Sequence, residues 1–104
     1  MTGWIYLFLA ALFEIGWALG LKYTDGFTRP LPTLLTAASM VASLALLGLA
    51  VRTLPLGTAY AIWTGIGVVG TVAFGAALLG EPVTALRLGC VAMILLGVVG
   101  LKLA

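Results

Sequence analysis

Charge is what this sequence has least of. Only 8% of its 104 residues are Asp, Glu, Lys or Arg, three acids against five bases. A soluble domain of this length needs a largely polar surface, and eight charged side chains do not supply one. The net charge of +2 is too small to suggest a nucleic-acid partner. Histidine is absent, which removes any His-based metal site or catalytic triad, and nothing else calls for a metal or cofactor. The single cysteine, Cys90, cannot close an intrachain disulfide and reads as a small packing residue in an apolar run. The N-terminal stretch MTGWIYLFLAALFE has no basic segment and no small-residue cleavage site, so it reads as a retained span rather than a removable signal.

What the chain has instead is apolar residues, 63% of the total, with a mean hydropathy of +1.28. They fall into four runs, about 4–21, 31–51, 56–79 and 85–103. KYTDGFTRPLP, RTLPLG and GEPVT separate them, and the acid of the last turn, Glu81, reads as a solvated loop residue. Each run is close to the ~20 residues that cross a ~30 Å hydrocarbon core. Backbone groups in lipid must be satisfied within the segment, and the alternating polarity of a β-barrel is missing. The fold class is therefore all-α, with residues 1–104 forming a single four-helix transmembrane domain. It leaves no room for a soluble active site, so the function lies in the bilayer or in assembly and is not that of an enzyme.

The basic residues hardly choose an orientation. Arg52 and Lys102 lie on one face of the membrane, Lys22, Arg29 and Arg87 on the other. Two against three leaves insertion both ways up as open as a single orientation.

One acid stands inside a span. Glu14 has no Lys, Arg or His within seven residues on either side. A charge at the bilayer centre costs ~2.5–3.5 kcal/mol on insertion scales, so such an acid marks a function more often than it merely packs. Away from water it holds a proton or, once ionised, a cation, and the two compete for one site. That competition is the minimum a proton-coupled cation exchanger requires. Trp17 and Ala18 follow at i+3 and i+4, and Ala10 and Ala11 precede at i−4 and i−3, so one helix face carries a carboxylate, an indole and small residues.

The third run places Tyr60, Trp63, Thr64 and Gly67 on a stripe, with Gly65, Gly67 and Gly70 making the helix easy to bend or to pack closely. In the second run Ser39 and Ser43 stand one turn apart, and each hydroxyl either reaches across to a carboxylate or bonds back to its own helix. The fourth run, with Gly89, Gly97 and Gly100, reads as an assembly helix. Four short helices with one acid enclose a pathway poorly. Two copies bring two glutamates together, so at least a dimer is expected.

FEIGWA, LKYTDGFTR, LPLGTAYAIWTGIG and GEPVTALR, in this order and spacing over nearly the whole chain, resemble the small multidrug resistance family. Phe13, Glu14 and Trp17 resemble its guanidinium-exporting subtype, as does the GLK that ends at Lys102. The resemblance implies a multi-pass protein of the inner (plasma) membrane and an antiparallel, dual-topology homodimer. It implies alternating access, with Glu14 of both subunits binding a guanidinium-type cation or protons in turn. Trp17, Ser43, Tyr60 and Trp63 are implied to line the site or orient Glu14, and the fourth helix to make much of the dimer contact. Ala11, where relatives often have Gly, and the second proline of the first loop, Pro30, depart from the pattern. Guanidinium suits such a site: it is planar, always charged near neutral pH, and its paired N–H groups match a carboxylate. The alternative on the same scaffold is an exporter of quaternary ammonium or other lipophilic cations, which needs more space where Trp17 stands.

Overall fold

The computed structural model describes residues 2–104 and contains four α-helices: α1 (Thr2–Tyr23), α2 (Pro30–Ala50), α3 (Leu56–Leu79) and α4 (Ala85–Leu103). Each is long and apolar enough to cross a membrane. Even α4, the shortest, reaches about 28 Å at 1.5 Å per residue. α1 runs two residues beyond the first apolar run at each end, because Thr2 and Lys22 are as content in a terminal turn as outside it; Lys22 also complements the helix C-terminus.

The turns explain where the helices stop. Thr24, 1% exposed, organises the first loop. Its hydroxyl donates to the Leu21 carbonyl (2.8 Å) and accepts from the Phe27 N–H (3.3 Å). Its carbonyl accepts from the N–H groups of Thr28 and Arg29. Within that bracket Asp25, Gly26 and Phe27 all take left-handed backbone angles, which reverses the chain in a few residues. Pro30 then opens α2, where a missing N–H costs nothing. Gly80, with φ 66°, ends α3 as a left-handed cap, and Thr84 starts α4 by accepting the Arg87 N–H at 3.1 Å.

α1 is the hub. It packs against both α2 and α3, α4 packs along α3 and reaches α1 through Lys102, whose ammonium lies 5.0 Å from the centre of the Trp4 ring, and α2 barely meets α3. The helices therefore form a thin slab of 41 × 34 × 16 Å. Its core sits between α1, α2 and α3 and is built on alanines: Ala10, Ala11, Ala50 and Ala59 are fully buried, with Leu7 and Ile62 filling the space between. Small residues let the backbones approach closely, the main source of helix association in lipid. No residue of α4 is buried. The slab exposes 6491 Å², against about 5,500 Å² for a folded soluble monomer of this mass. The excess is apolar side chain that lipid or another copy must cover.

Candidate functional site

Glu14 lies midway along α1, on the face turned to α3. Its partner position there is Gly67: a Cβ at 67 would run into the Glu14 carboxyl group. One turn on, Gly70 receives the Ile15 side chain in the same way. The two glycines thus form a trough in α3 that admits the acid-bearing turn of α1. Beside it lies a cleft of about 250 Å³ lined by Glu14, Trp17 and Ala18 from α1 and by Gly67, Thr71 and Val72 from α3, among others. Several waters' worth of volume, at ~30 Å³ each, fits there, enough for a small planar cation.

Two polar atoms in this region are buried without a hydrogen-bond partner, Oε1 of Glu14 and Nε1 of Trp17. One only accepts when ionised, the other only donates. An unpaired buried polar group is costly, and buried polar groups in folded proteins nearly all have partners. The carboxylate is thus held ready for a donor that the chain itself does not provide.

A second polar group sits one turn towards the N-terminus of α1. Ser43, fully buried in α2, donates to the Ala10 carbonyl of α1 at 2.6 Å and accepts from Nε1 of Trp63 in α3 at 3.0 Å. Neither bonding pattern weighed from the sequence occurs: Ser43 reaches neither a carboxylate nor its own helix. The Ala10 carbonyl is also the one that, by helix geometry, takes the N–H of Glu14. Ser43 and Trp63 therefore grip the backbone turn that carries the acid rather than the acid itself. Tyr60 meets Trp63 edge-on, with ring centroids 5.5 Å apart at 61°, and is 55% exposed. Within one chain its hydroxyl stands outside the Glu14 cleft.

The structure thus gathers Glu14 and Trp17 in one cleft, and Ser43, Tyr60 and Trp63 in a linked group beside it. Ser39 belongs to neither. It faces Gly16, whose missing Cβ would lie 3.8 Å from its hydroxyl. Ala18 and Gly67 lie on the faces noted in the sequence. Thr71, Val68 and Val72 were not singled out there. Thr71 follows Gly67 at i+4, so extending the stripe by one turn finds it; the two valines carry no signal that separates them from lipid-facing residues.

Comparison with known proteins shows what the whole chain is similar to. The family model described as Small Multidrug Resistance protein matches residues 2–99. A guanidinium exporter of Proteus vulgaris is 55% identical over 101 residues, covering 97% of each chain. Guanidinium exporters of Salmonella typhimurium and Escherichia coli (strain K12) are 54% and 52% identical, each over 97% of this chain and 96% of the relative.

Proposed function

The chain belongs to the small multidrug resistance family, and on that premise we propose that it is a guanidinium exporter driven by protons. With four spans and this membership it is a multi-pass protein of the inner membrane, a transporter rather than an enzyme. The observation that carries the reading is the half-buried Glu14 carboxyl group, whose Oε1 is buried without a partner beside a cleft walled by an indole.

The chemistry follows from that one group. Guanidinium offers paired N–H donors in the fork geometry a carboxylate accepts, and it offers no acceptor. A bound proton and a bound cation satisfy the same oxygen, so they exclude each other. When the site opens to the side richer in protons, protons displace the cation; when it opens to the other side, the cation displaces protons. Transport of one is then tied to counter-transport of the other. Trp17 walls the cleft and favours a flat, small ligand over a bulky aromatic cation. Ser43 and Trp63 fix the turn from which Glu14 projects. The exposed Tyr60 and the uncovered α4 support assembly as an antiparallel homodimer, in which two Glu14 side chains serve one cation and Tyr60 reaches the shared site.

Reconstituted protein tests this, with guanidinium flux and pH followed on both sides of the membrane. The wild type moves guanidinium up its gradient when a pH gradient is imposed. Glu14→Gln, which keeps the shape but cannot ionise, abolishes coupled transport. Uphill guanidinium movement by that variant would mean that another group does the work. Preference for a bulky quaternary ammonium ion over guanidinium would favour the other branch of the family.

A further inference from the structure

A second cleft lies on another side of α1, between α1 and α2, near the first loop. Its volume is about 320 Å³, and its lining includes Gly16 and Gly20 of α1, Leu31 and Leu35 of α2, and Tyr23 and Arg29 at the loop end. The glycines explain why it exists. A Cβ at Gly20 would strike the Thr36 hydroxyl group, so the helices cross closely there, and the bare surface of α1 at 16 and 20 leaves a channel running from that crossing. It lies on the α1–α2 side of the bundle, and no residue of α4 lines it.

The polarity of the cleft is graded along the membrane normal. Tyr23 is the last residue of α1 and Arg29 immediately precedes α2, so both stand at headgroup depth. Leu31 (65% exposed) and Leu35 (60%) continue from them into the hydrocarbon region. Charge at this end of the bundle is biased: Lys22, Arg29 and Arg87 against Asp25 and Glu81. α2 also begins there without a side-chain cap, which adds partial positive charge beside Arg29. Phe27, 64% exposed and turned outward by the left-handed loop, stands at the same level, as interfacial aromatic residues do.

We propose that this cleft binds an anionic phospholipid, with the phosphate held by Arg29 and Tyr23 and one acyl chain lying along Leu31 and Leu35. A soluble anion has no use for the leucine wall, and a zwitterionic lipid offers no net charge to match the basic end. Arginine binds phosphate oxygens in fork geometry, and the tyrosine hydroxyl donates a further bond. The assignment does not depend on which cation the protein carries, and in an antiparallel pair it places one lipid site in each leaflet.

The test uses the full chain in phosphatidylcholine vesicles that contain a trace of chain-labelled phosphatidylglycerol or chain-labelled phosphatidylcholine. The spin-label spectrum reports the fraction of lipid immobilised on the protein. One basic residue at an anionic surface gives a preference of about fivefold. Wild-type protein is expected to immobilise phosphatidylglycerol over phosphatidylcholine by about that factor. Arg29→Gln should bring the ratio close to one. Ser39→Leu, which fills the inner end of the cleft without touching a charge, should lower it as well. Arg52→Gln, on the other membrane face, should leave it unchanged. Guanidinium flux retained in all three variants shows that they fold. Equal immobilisation of the two lipids by the wild type overturns the proposal. So does an undiminished preference in Arg29→Gln, or displacement of the labelled lipid by millimolar glycerol phosphate, which would mark a site for a soluble anion.

Discussion

Ser43 is the residue whose role in the structure reaches furthest from its position. Its hydroxyl joins all three core helices, taking the Trp63 N–H and giving its own proton to the carbonyl that also holds the Glu14 amide. Interhelical hydrogen bonds in membranes contribute on average only ~0.6 kcal/mol each, so losing two does not unfold a bundle held by packed alanines. The effect of Ser43→Ala falls instead on geometry: Trp63 loses its acceptor and the Glu14 turn loses its tether. The variant should insert and assemble like the wild type, while its guanidinium KM rises severalfold and its tryptophan emission shifts. Ser43→Ala combined with Trp63→Phe should be no worse than Ser43→Ala alone, because the Trp63 N–H acts through its bond to Ser43. Additive losses in that double mutant would show that they act separately. The sequence marks Ser43 and Trp63 as polar groups needing partners, since a buried hydroxyl or indole in lipid always does. It does not say that they partner each other, because a contact twenty residues apart depends on how two helices are rotated. Glu14 was legible for the opposite reason: a lone acid in an apolar run is conspicuous wherever it points.

At the scale of the helix, glycines decide who packs with whom. Gly65, Gly67 and Gly70 lie within six residues of α3, yet they receive three different side chains: Val98 of α4, Glu14 and Ile15 of α1. Gly65 of α3 is the seat of α4, whose own glycines at 89, 97 and 100 have nothing within 4 Å of a would-be Cβ. Gly65→Val should therefore push α4 off α3 while leaving the α1–α2–α3 core in place. The expected readout is a lower melting temperature for the assembled protein, with a loss of dimer in detergent preceding any loss of helix by circular dichroism. Helix and dimer lost together would place Gly65 in the core instead. The helices themselves are easy to read, because a charged or proline-bearing turn interrupts each apolar run. The rotation of each helix is not. Helices apolar all round carry almost no periodic signal, so which face meets α3 and which meets lipid is decided by small residues whose partners are invisible in a single chain.

The whole molecule is a slab with too little inside it. Its acid-bearing cleft is open at one side, where Val68 and Val72 are 39% and 37% exposed, and its fourth helix is bare. If the chain exchanges protons for a cation, as proposed, its site must never open to both compartments at once, and the single chain leaves this cleft without a wall on one side. In the proposed dimer a second copy would supply the missing wall, and with near-balanced basic residues at the two faces that copy can insert the other way up. If one cation is held between two Glu14 side chains, a single subunit carrying Glu14→Gln disables the pair. Co-reconstituting wild-type and Glu14→Gln protein in equal amounts, exchanged as mixed dimers, then leaves about a quarter of the wild-type coupled flux, the share of pairs with both acids intact. Independent subunits would leave about half, and pairs that need only one acid about three quarters. Flux measured across a series of mixing ratios separates these three curves, and any curve other than the square of the wild-type fraction removes the second carboxylate from the mechanism.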